Sequence, residues 1–514
     1  MENHDSRSKH IARNSLLLYI RMGITMFIGL VTSRLILNTL GVIDYGIYNV
    51  VAGVTSMFVF LNTTMSVSTS RFIAYAIGTN RGDELGIIYS QARIIHYGIG
   101  AVVLLLIETV GQWMVYNKLN IPCDRVDASI LVLHSVSIVT ILNVISTPDM
   151  ALIIAHERMK SFAYISIFDS AMKLLATILL LFLNGDKLVY YAIMITLIQV
   201  TDRLCYLIYC KRNFEESKYR LAFVKPVFRK MFSFASWNLL GNLSVMTIEQ
   251  GISIILNIFC GPAVNAARGL AASLSNYVTA FANNARMAIN PQITKSYAAG
   301  DYYFMHRLIA LSSTSFFFIL MLMAVPLYYV IDYILGLWLV NVPEYTSTFF
   351  KMTMVYLLMN SFANPVIIGI HATGDIKKFQ IVEGSIMLLT LPAAYAFLFS
   401  GMPPLSVYVS MILFAIIAQI GRLYIILPKI KMPFRKYFHT IIKPSAIVLA
   451  SAIALVCLYH ASLMVVSRTW MYDVVCALMT FVTLVGTILV FGLTKSDRDY
   501  LKNLLRKKKQ HNAN

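Results

Sequence analysis

At 514 residues the chain is 58% hydrophobic and only 13% charged, with mean hydropathy +0.70, which excludes a soluble globular domain: no water-facing fold hides that much apolar area. A formal net charge of +19 would admit a nucleic-acid partner, but the charge sits in short loops between apolar runs, so nucleic acid is not its cause. The six cysteines (Cys123, Cys205, Cys210, Cys260, Cys457 and Cys476) are scattered without C-x-x-C or zinc-ligand spacing; no metal site is expected from them, and they read as small core or lipid-facing residues.

In chain order the apolar runs fall at 11–37, 45–78, 88–116, 127–155, 161–184, 187–210, 231–259, 264–290, 305–333, 346–370, 379–400, 405–428, 441–466 and 470–493. Each is near or above the ~20 residues a helix needs to cross the hydrocarbon core. The expected fold is therefore an all-α integral membrane protein of about 14 transmembrane helices. The first run lacks the short apolar core and small-residue cleavage site of a signal peptide and is expected to be retained as a spanning helix.

Loop charge sets the orientation. With the N-terminus inside, the cytoplasmic segments are 79–87, Ala155–Lys160, Lys211–Lys230, Pro291–Arg307, Lys377–Lys378, Lys429–Lys443 and Lys495–Lys509, and these hold most of the loop Lys and Arg. The alternate loops hold only a few, such as Lys118, Arg125, Lys187 and Arg468. Both termini are then cytoplasmic.

No P-loop, H-E-x-x-H helix or nucleophile elbow is present, so a transporter is expected rather than an enzyme. The longest loop lies near the midpoint, and the chain repeats about it. Gly41-Val42 ends the first helix of the first half and Gly261-Pro262 its counterpart, about 220 positions on; Tyr75-Ala76-Ile77-Gly78 and Tyr297-Ala298-Ala299-Gly300 close the second helix of each pair. The expected organisation is an N-terminal lobe (1–210), a cytoplasmic linker (211–230), a C-terminal lobe (231–428), an extra helix pair (441–493) and a basic tail (494–514), with two pseudo-symmetric six-helix lobes.

Each leading helix pair carries a polar seam. Asn14, Arg21, Thr25 and Thr32 share one face of the first run, and Asn49, Gly53, Ser56, Thr63 and Arg71 share one face of the second. In the second half Asn238, Asn242, Glu249 and Ser253 align on one helix, and Arg268, Ser275, Thr279, Asn283, Arg286 and Asn290 on the next. An isolated Ser, Thr or Asn reads first as interhelical glue. Arg21, Glu249 and Arg286 point to a water-filled cavity, because a charge at membrane depth costs about 2.5–3.5 kcal/mol unless it finds water or a partner. Arg71 and Arg268 lie nearer helix ends, where snorkelling to the interface explains them equally well. Glu108, Asp149, Asp169, Lys173, Asp202, Arg203 and Arg422 read as structural charges, Asp169 and Lys173 as an i,i+4 pair.

Two stretches carry a family resemblance. Ser33-Arg34-Leu35-Ile36-Leu37-Asn38-Thr39-Leu40-Gly41-Val42-Ile43-Asp44-Tyr45-Gly46-Ile47-Tyr48, continuing to Leu61-Asn62 and Ser70-Arg71-Phe72, is one; Asn290-Pro291-Gln292-Ile293-Thr294-Lys295-Ser296-Tyr297-Ala298-Ala299-Gly300-Asp301 is the other. With the span count and the repeat, they resemble the polysaccharide-exporter branch of the multidrug/oligosaccharidyl-lipid/polysaccharide (MOP) superfamily, whose members resemble O-antigen and capsule flippases. The resemblance implies alternating-access movement of an undecaprenyl-diphosphate-linked oligosaccharide across the bacterial inner membrane, without a cofactor. It implies Arg21 and Arg286, with Arg268, as the diphosphate clamp and Arg71 as a further residue of the central cavity, since guanidinium gives paired, charge-assisted hydrogen bonds to phosphate. Asn14, Thr25, Asn49, Asn238, Asn242, Thr279 and Asn283 would bond sugar hydroxyls. A polysaccharide polymerase and a chain-length regulator are the expected protein partners.

Glu249 is either the site of coupling to an H+ or Na+ gradient or a static partner for an arginine. The alternative function is a cation-coupled drug or metabolite exporter of the multidrug and toxin extrusion (MATE) type. Those use acidic cavities, whereas this seam is richer in arginine than in acid.

Overall fold

The computed structural model describes residues 2–56, 59–79, 82–117, 121–218, 223–338, 342–464 and 467–492, and among them every regular element is a helix. In order these are α1 (Glu2–Ser56), α2 (Val59–Gly78), α3 (Gly82–Leu106), α4 (Gln112–Asn117), α5 (Val126–Ala155), α6 (Met159–Leu179), α7 (Lys187–Asn213) and α8 (Lys225–Ala298). They continue as α9 (Tyr302–Trp338), α10 (Thr346–Asn360), α11 (Ala363–Thr373), α12 (Lys377–Leu388), α13 (Thr390–Phe399), α14 (Ser406–Lys429), α15 (Phe434–Tyr437), α16 (Lys443–Ser462) and α17 (Trp470–Thr487).

The two long helices α1 and α8 are each broken at one glycine, with nearly the same backbone at both. Gly41 has φ 77° and ψ 172°, and Gly261 has φ 84° and ψ 174°. That combination is open essentially to glycine alone, because a Cβ would collide with the flanking peptide groups. The repeat read from the sequence is thus a repeat of backbone conformation as well.

Among the described residues twelve helices are long and apolar enough to cross a membrane, and each coincides with one of the fourteen expected segments. The protein is a multi-pass membrane protein. The other two of the expected fourteen segments, 45–78 and 264–290, are not among these twelve. Both are helical where described, but Asn62, Thr64, Ser66, Ser68, Thr69, Ser70 and Arg71 make α2 too polar, and the second half of α8 carries Asn276, Asn283, Asn284 and Arg286. These more polar helices are the second and eighth segments, equivalent members of the repeat.

The chain divides into two compact units. The first comprises the residues up to Asn242 with Met287–Asp301 and Gly374–Ile376; the second comprises Leu243–Arg286, Tyr302–Thr373 and the chain from Lys377 onward. In the first unit α5 packs on α7, α3 and α2, and α1 packs on α6. Two apolar clusters fill it, one around Ile73, Ala92, Leu152 and Met231, the other around Val51, Ile107, Leu133 and Leu188. Several of its interior charges are paired. Asp149 takes the Arg203 guanidinium and the Tyr89 hydroxyl, Asp169 pairs with Lys173 at 2.7 Å, and Glu108 meets His134 at 2.8 Å. Lys295 pairs with Glu157 at 2.5 Å, and Gly78 lies so close to Lys295 that a Cβ there would sit 2.6 Å from the lysine carbonyl oxygen.

In the second unit α9 packs on α17, α10 and α16, and α14 on α12, α10, α13 and α11. One apolar cluster runs through it from Ile248, Leu256 and Ala267 to Phe317, Tyr329, Phe349, Val407 and Leu484. Arg422 is neutralised by Glu383, and Arg468 bridges Asp473 at 2.9 Å and Asp332 at 3.0 Å.

Candidate functional site

The break at Gly261 builds the site in the second unit. Ser253 and Arg268 are fifteen positions apart, a separation of about 22 Å along an unbroken helix. Yet the Arg268 Nη1 donates to the Ser253 hydroxyl at 2.5 Å, so the two halves of α8 fold back on each other. Beside this hairpin lies a cavity of about 290 Å³. Glu249, Arg268, Ser275 and Thr279 of α8 line it together with Asn276, and the facing wall is Thr353 and Tyr356 of α10 and Tyr408 of α14. Tyr408 lines the cavity beside Arg268 and Thr353. Glu249 is exposed, and neither it nor Arg268 belongs to an ion pair among the described residues. The cavity therefore offers one cation, one anion, two phenols, an amide and three hydroxyls, a set suited to a polar, multiply hydroxylated ligand bearing negative charge.

Arg286 is not among the residues lining that cavity. It is 8% exposed, and its Nη2 donates to the Ser361 carbonyl at 2.6 Å. Its guanidinium lies 3.1 Å from the centroid of the Phe316 ring, and its Nη1 is 3.5 Å from the Asn283 Oδ1. No carboxylate pairs with it among the described residues. It is a buried cation held by a ring and a backbone oxygen.

In the first unit Arg21 is half-buried, with Nη1 3.5 Å from the Ser166 hydroxyl and the guanidinium 5.0 Å from the Phe162 ring. Arg71 is enclosed by Phe72 at 4.4 Å, Tyr75 at 5.1 Å and Phe234 at 5.4 Å. Gly374 closes the enclosure, since a Cβ there would lie 2.6 Å from the Arg71 Nη2. Asn14 is buried and donates to the Glu157 carbonyl at 3.4 Å, while Thr25 bonds back to its own helix at Met22. Asn238 and Asn242 both turn to α2, donating to the Thr64 carbonyl at 3.4 Å and the Thr64 hydroxyl at 3.0 Å. The side chain of Asn49 lies outside the described residues.

The expected residues thus sort into distinct settings. Glu249, Arg268 and Thr279 share the cavity; Asn283 accompanies Arg286; Asn238 and Asn242 clasp a neighbouring helix; Arg71 sits in an aromatic cage. Sequence reading missed Thr353, Tyr356 and Tyr408. The first two are three positions apart on α10 and so share a face, but nothing local connects that face to α8. No cluster of metal-ligating side chains occurs among the described residues.

The profile of the polysaccharide biosynthesis protein family matches residues 11–297, more than half of the chain. Among solved structures, a multidrug resistance MATE family transporter of the MOP superfamily in its outward-facing conformation superposes with a TM-score of 0.71 at 13% identity, over 83% of this chain and 96% of that one. A MATE protein in its straight conformation gives the same four figures. A MOP superfamily transporter from Pyrococcus furiosus, described by the reverse polarity of its binding pocket, gives a TM-score of 0.69 at 13% identity over 83% and 96% of the two chains. No curated protein matches the sequence. At that identity the structural likeness carries the fold alone, and the profile carries the family: the chain belongs to the polysaccharide biosynthesis protein family and has the fold of the MOP superfamily.

Proposed function

We propose that the protein is a flippase, not an enzyme, and moves an undecaprenyl-diphosphate-linked oligosaccharide from the cytoplasmic to the periplasmic leaflet of the bacterial inner membrane. The observation that carries this reading is an arginine without a carboxylate partner, Arg268, on the wall of a cavity that hydroxyl, phenol and amide groups line together with Glu249 and apolar side chains such as Ile248, Leu357 and Met387. Guanidinium binds the diphosphate through paired hydrogen bonds and stays protonated throughout a transport cycle. The Tyr356 and Tyr408 rings and the Thr279, Thr353 and Asn276 side chains receive the sugar. Arg286, and in the first unit Arg21 and Arg71, are further diphosphate-binding cations in this reading, and the polyprenyl tail stays in lipid. Transport proceeds by alternating access, with both termini in the cytoplasm, and feeds a polysaccharide polymerase and chain-length regulator.

Glu249 supplies the coupling. Its exposed carboxylate binds H+ or Na+ in one access state and releases it in the other. The same carboxylate supports the second reading, a MATE-type cation-coupled exporter, in which it would bind the cargo directly. The deciding experiment measures surface glycan and cationic-drug accumulation side by side in cells carrying the wild type, Arg268→Ala or no copy. The flippase reading expects both altered strains to lose surface glycan with drug accumulation unchanged. Drug accumulation that rises while surface glycan stays normal overturns it.

A further inference from the structure

The pair formed by Glu108 and His134 lies inside the membrane span but not inside the protein. The His134 Nδ1 is 2.8 Å from the Glu108 Oε2, and the histidine and glutamate side chains stay 47% and 25% exposed. A wide π turn, Ile107–Gly111, joins α3 to α4 and carries the glutamate. A Cβ on Gly111 would lie 3.3 Å from the Leu133 Cδ1, so the turn and α5 come close just beside His134. Gln112 donates to the same Glu108 oxygen at 3.0 Å.

The surroundings are apolar. On α5 the positions 131, 134, 138, 141 and 145 recur at helical spacing, and His134 alone among them is polar. Leu105 and Val110, on either side of Glu108, are 64% and 40% exposed, and Ile138, one turn beyond His134, is 45% exposed. Trp113 and Tyr116, also exposed, mark the level of the nearer membrane interface. Glu108 lies about 8–12 Å deeper along the helix, and His134 lies about 10 Å in from Asp127. At that depth hydrocarbon answers no hydrogen bond.

Both forms of the pair that are neutral overall leave the same groups unanswered. Carboxylate with imidazolium, and carboxylic acid with imidazole, each keep a hydrogen on the His134 Nε2. Neither that nitrogen nor the Glu108 Oε1 nor the Gln112 Oε1 has a partner among the described residues. The patch thus sets one donor beside two acceptors, a group that complements itself. A two-fold axis through it places the donor of one copy against an acceptor of the other, twice over.

We propose that this face joins two copies of the chain in the membrane, the His134 imidazole of each donating to the partner's Glu108, with Leu105, Val110 and Ile138 packed around the contact. The pairing is independent of what the protein transports.

The test counts subunits by single-molecule photobleaching of dye-labelled full-length protein in liposomes, over a series of protein-to-lipid ratios. The wild type should pass from one bleaching step to two as the ratio rises. Glu108→Leu with His134→Leu makes the face uniformly apolar and should weaken the pairing about tenfold. The exchange of Glu108→His with His134→Glu keeps a donor and an acceptor on the patch and should restore it. Thr201→Val, which removes an exposed hydroxyl from α7, should leave it unchanged. A wild type that stays single at every ratio overturns the proposal. So does undiminished pairing in the leucine variant, no recovery in the exchange, or an equal loss in Thr201→Val.

Discussion

Replacing Arg286 by Met separates what this buried cation does for stability from what it does for cargo. The substitution removes a charge-assisted hydrogen bond to the Ser361 carbonyl, worth about 1.5–3 kcal/mol, and a desolvated contact with the Phe316 ring, worth about 2. It also removes the burden of holding a charge at membrane depth, about 2.5–3.5 kcal/mol. The terms nearly cancel, so Arg286→Met should destabilise by about 0–2.5 kcal/mol, measured by reversible unfolding in bicelles. Surface glycan export in cells should nevertheless fall to background, because the positive charge is gone. Arg286→Lys should restore little, since an ammonium cannot lie flat on the ring or present a planar fork to phosphate. Export at the wild-type rate in Arg286→Met would refute the reasoning, and a loss of stability beyond ~5 kcal/mol would show that the cancellation is wrong.

Glu249→Gln should keep export but abolish its dependence on the ion gradient, read as surface glycan with and without an uncoupler. Gly261→Ala should cost about 1–3 kcal/mol through backbone strain alone, since nothing lies within 4 Å of the added methyl; Gly23→Ala, in an unstrained helix with equal space, serves as the control and should not destabilise. Burial raises the Glu216 carboxyl, but its 2.5 Å hydrogen bond with His156, a backbone hydrogen bond and the His156 charge together outweigh burial, so its net position is below the ordinary glutamate value. A lowered folded-state value means that its stabilisation is complete above that ordinary value, ~4.3, and is lost as pH falls through the lowered one. Hydrogen exchange of Glu215–Lys218 should therefore accelerate on acidification below that range, and His156→Gln should erase the dependence.

How far the sequence could be read depended on the range of the interaction. The glycines at 41 and 261 were legible because a helix break is local. The Asp169–Lys173 pair was legible because four residues bring two side chains onto one helical face, whereas Asp149 and Arg203 meet across fifty-four positions. Helical spacing gave the seams on α8 but not their fates. Asn238 and Asn242 look no different in sequence from Thr279, yet the first two clasp Thr64 and the third opens on the cavity. Span number is a coarser reading for a related reason: the run 45–78 is membrane-long in sequence, but the hydroxyl-rich part of it in α2 is less apolar than the twelve other helices.

The matched breaks in α1 and α8 bear on how the two halves of such a chain are to be compared. Around Gly41 the residues read Thr-Leu-Gly-Val-Ile, and around Gly261 they read Phe-Cys-Gly-Pro-Ala, so little but the glycine is shared. The torsion angles at the two positions nonetheless agree to within 7° in φ and 2° in ψ. Side chains on either side have diverged while the bend they surround has kept its form. At these two glycines the likeness between the halves lies in the main chain more than in the letters around it.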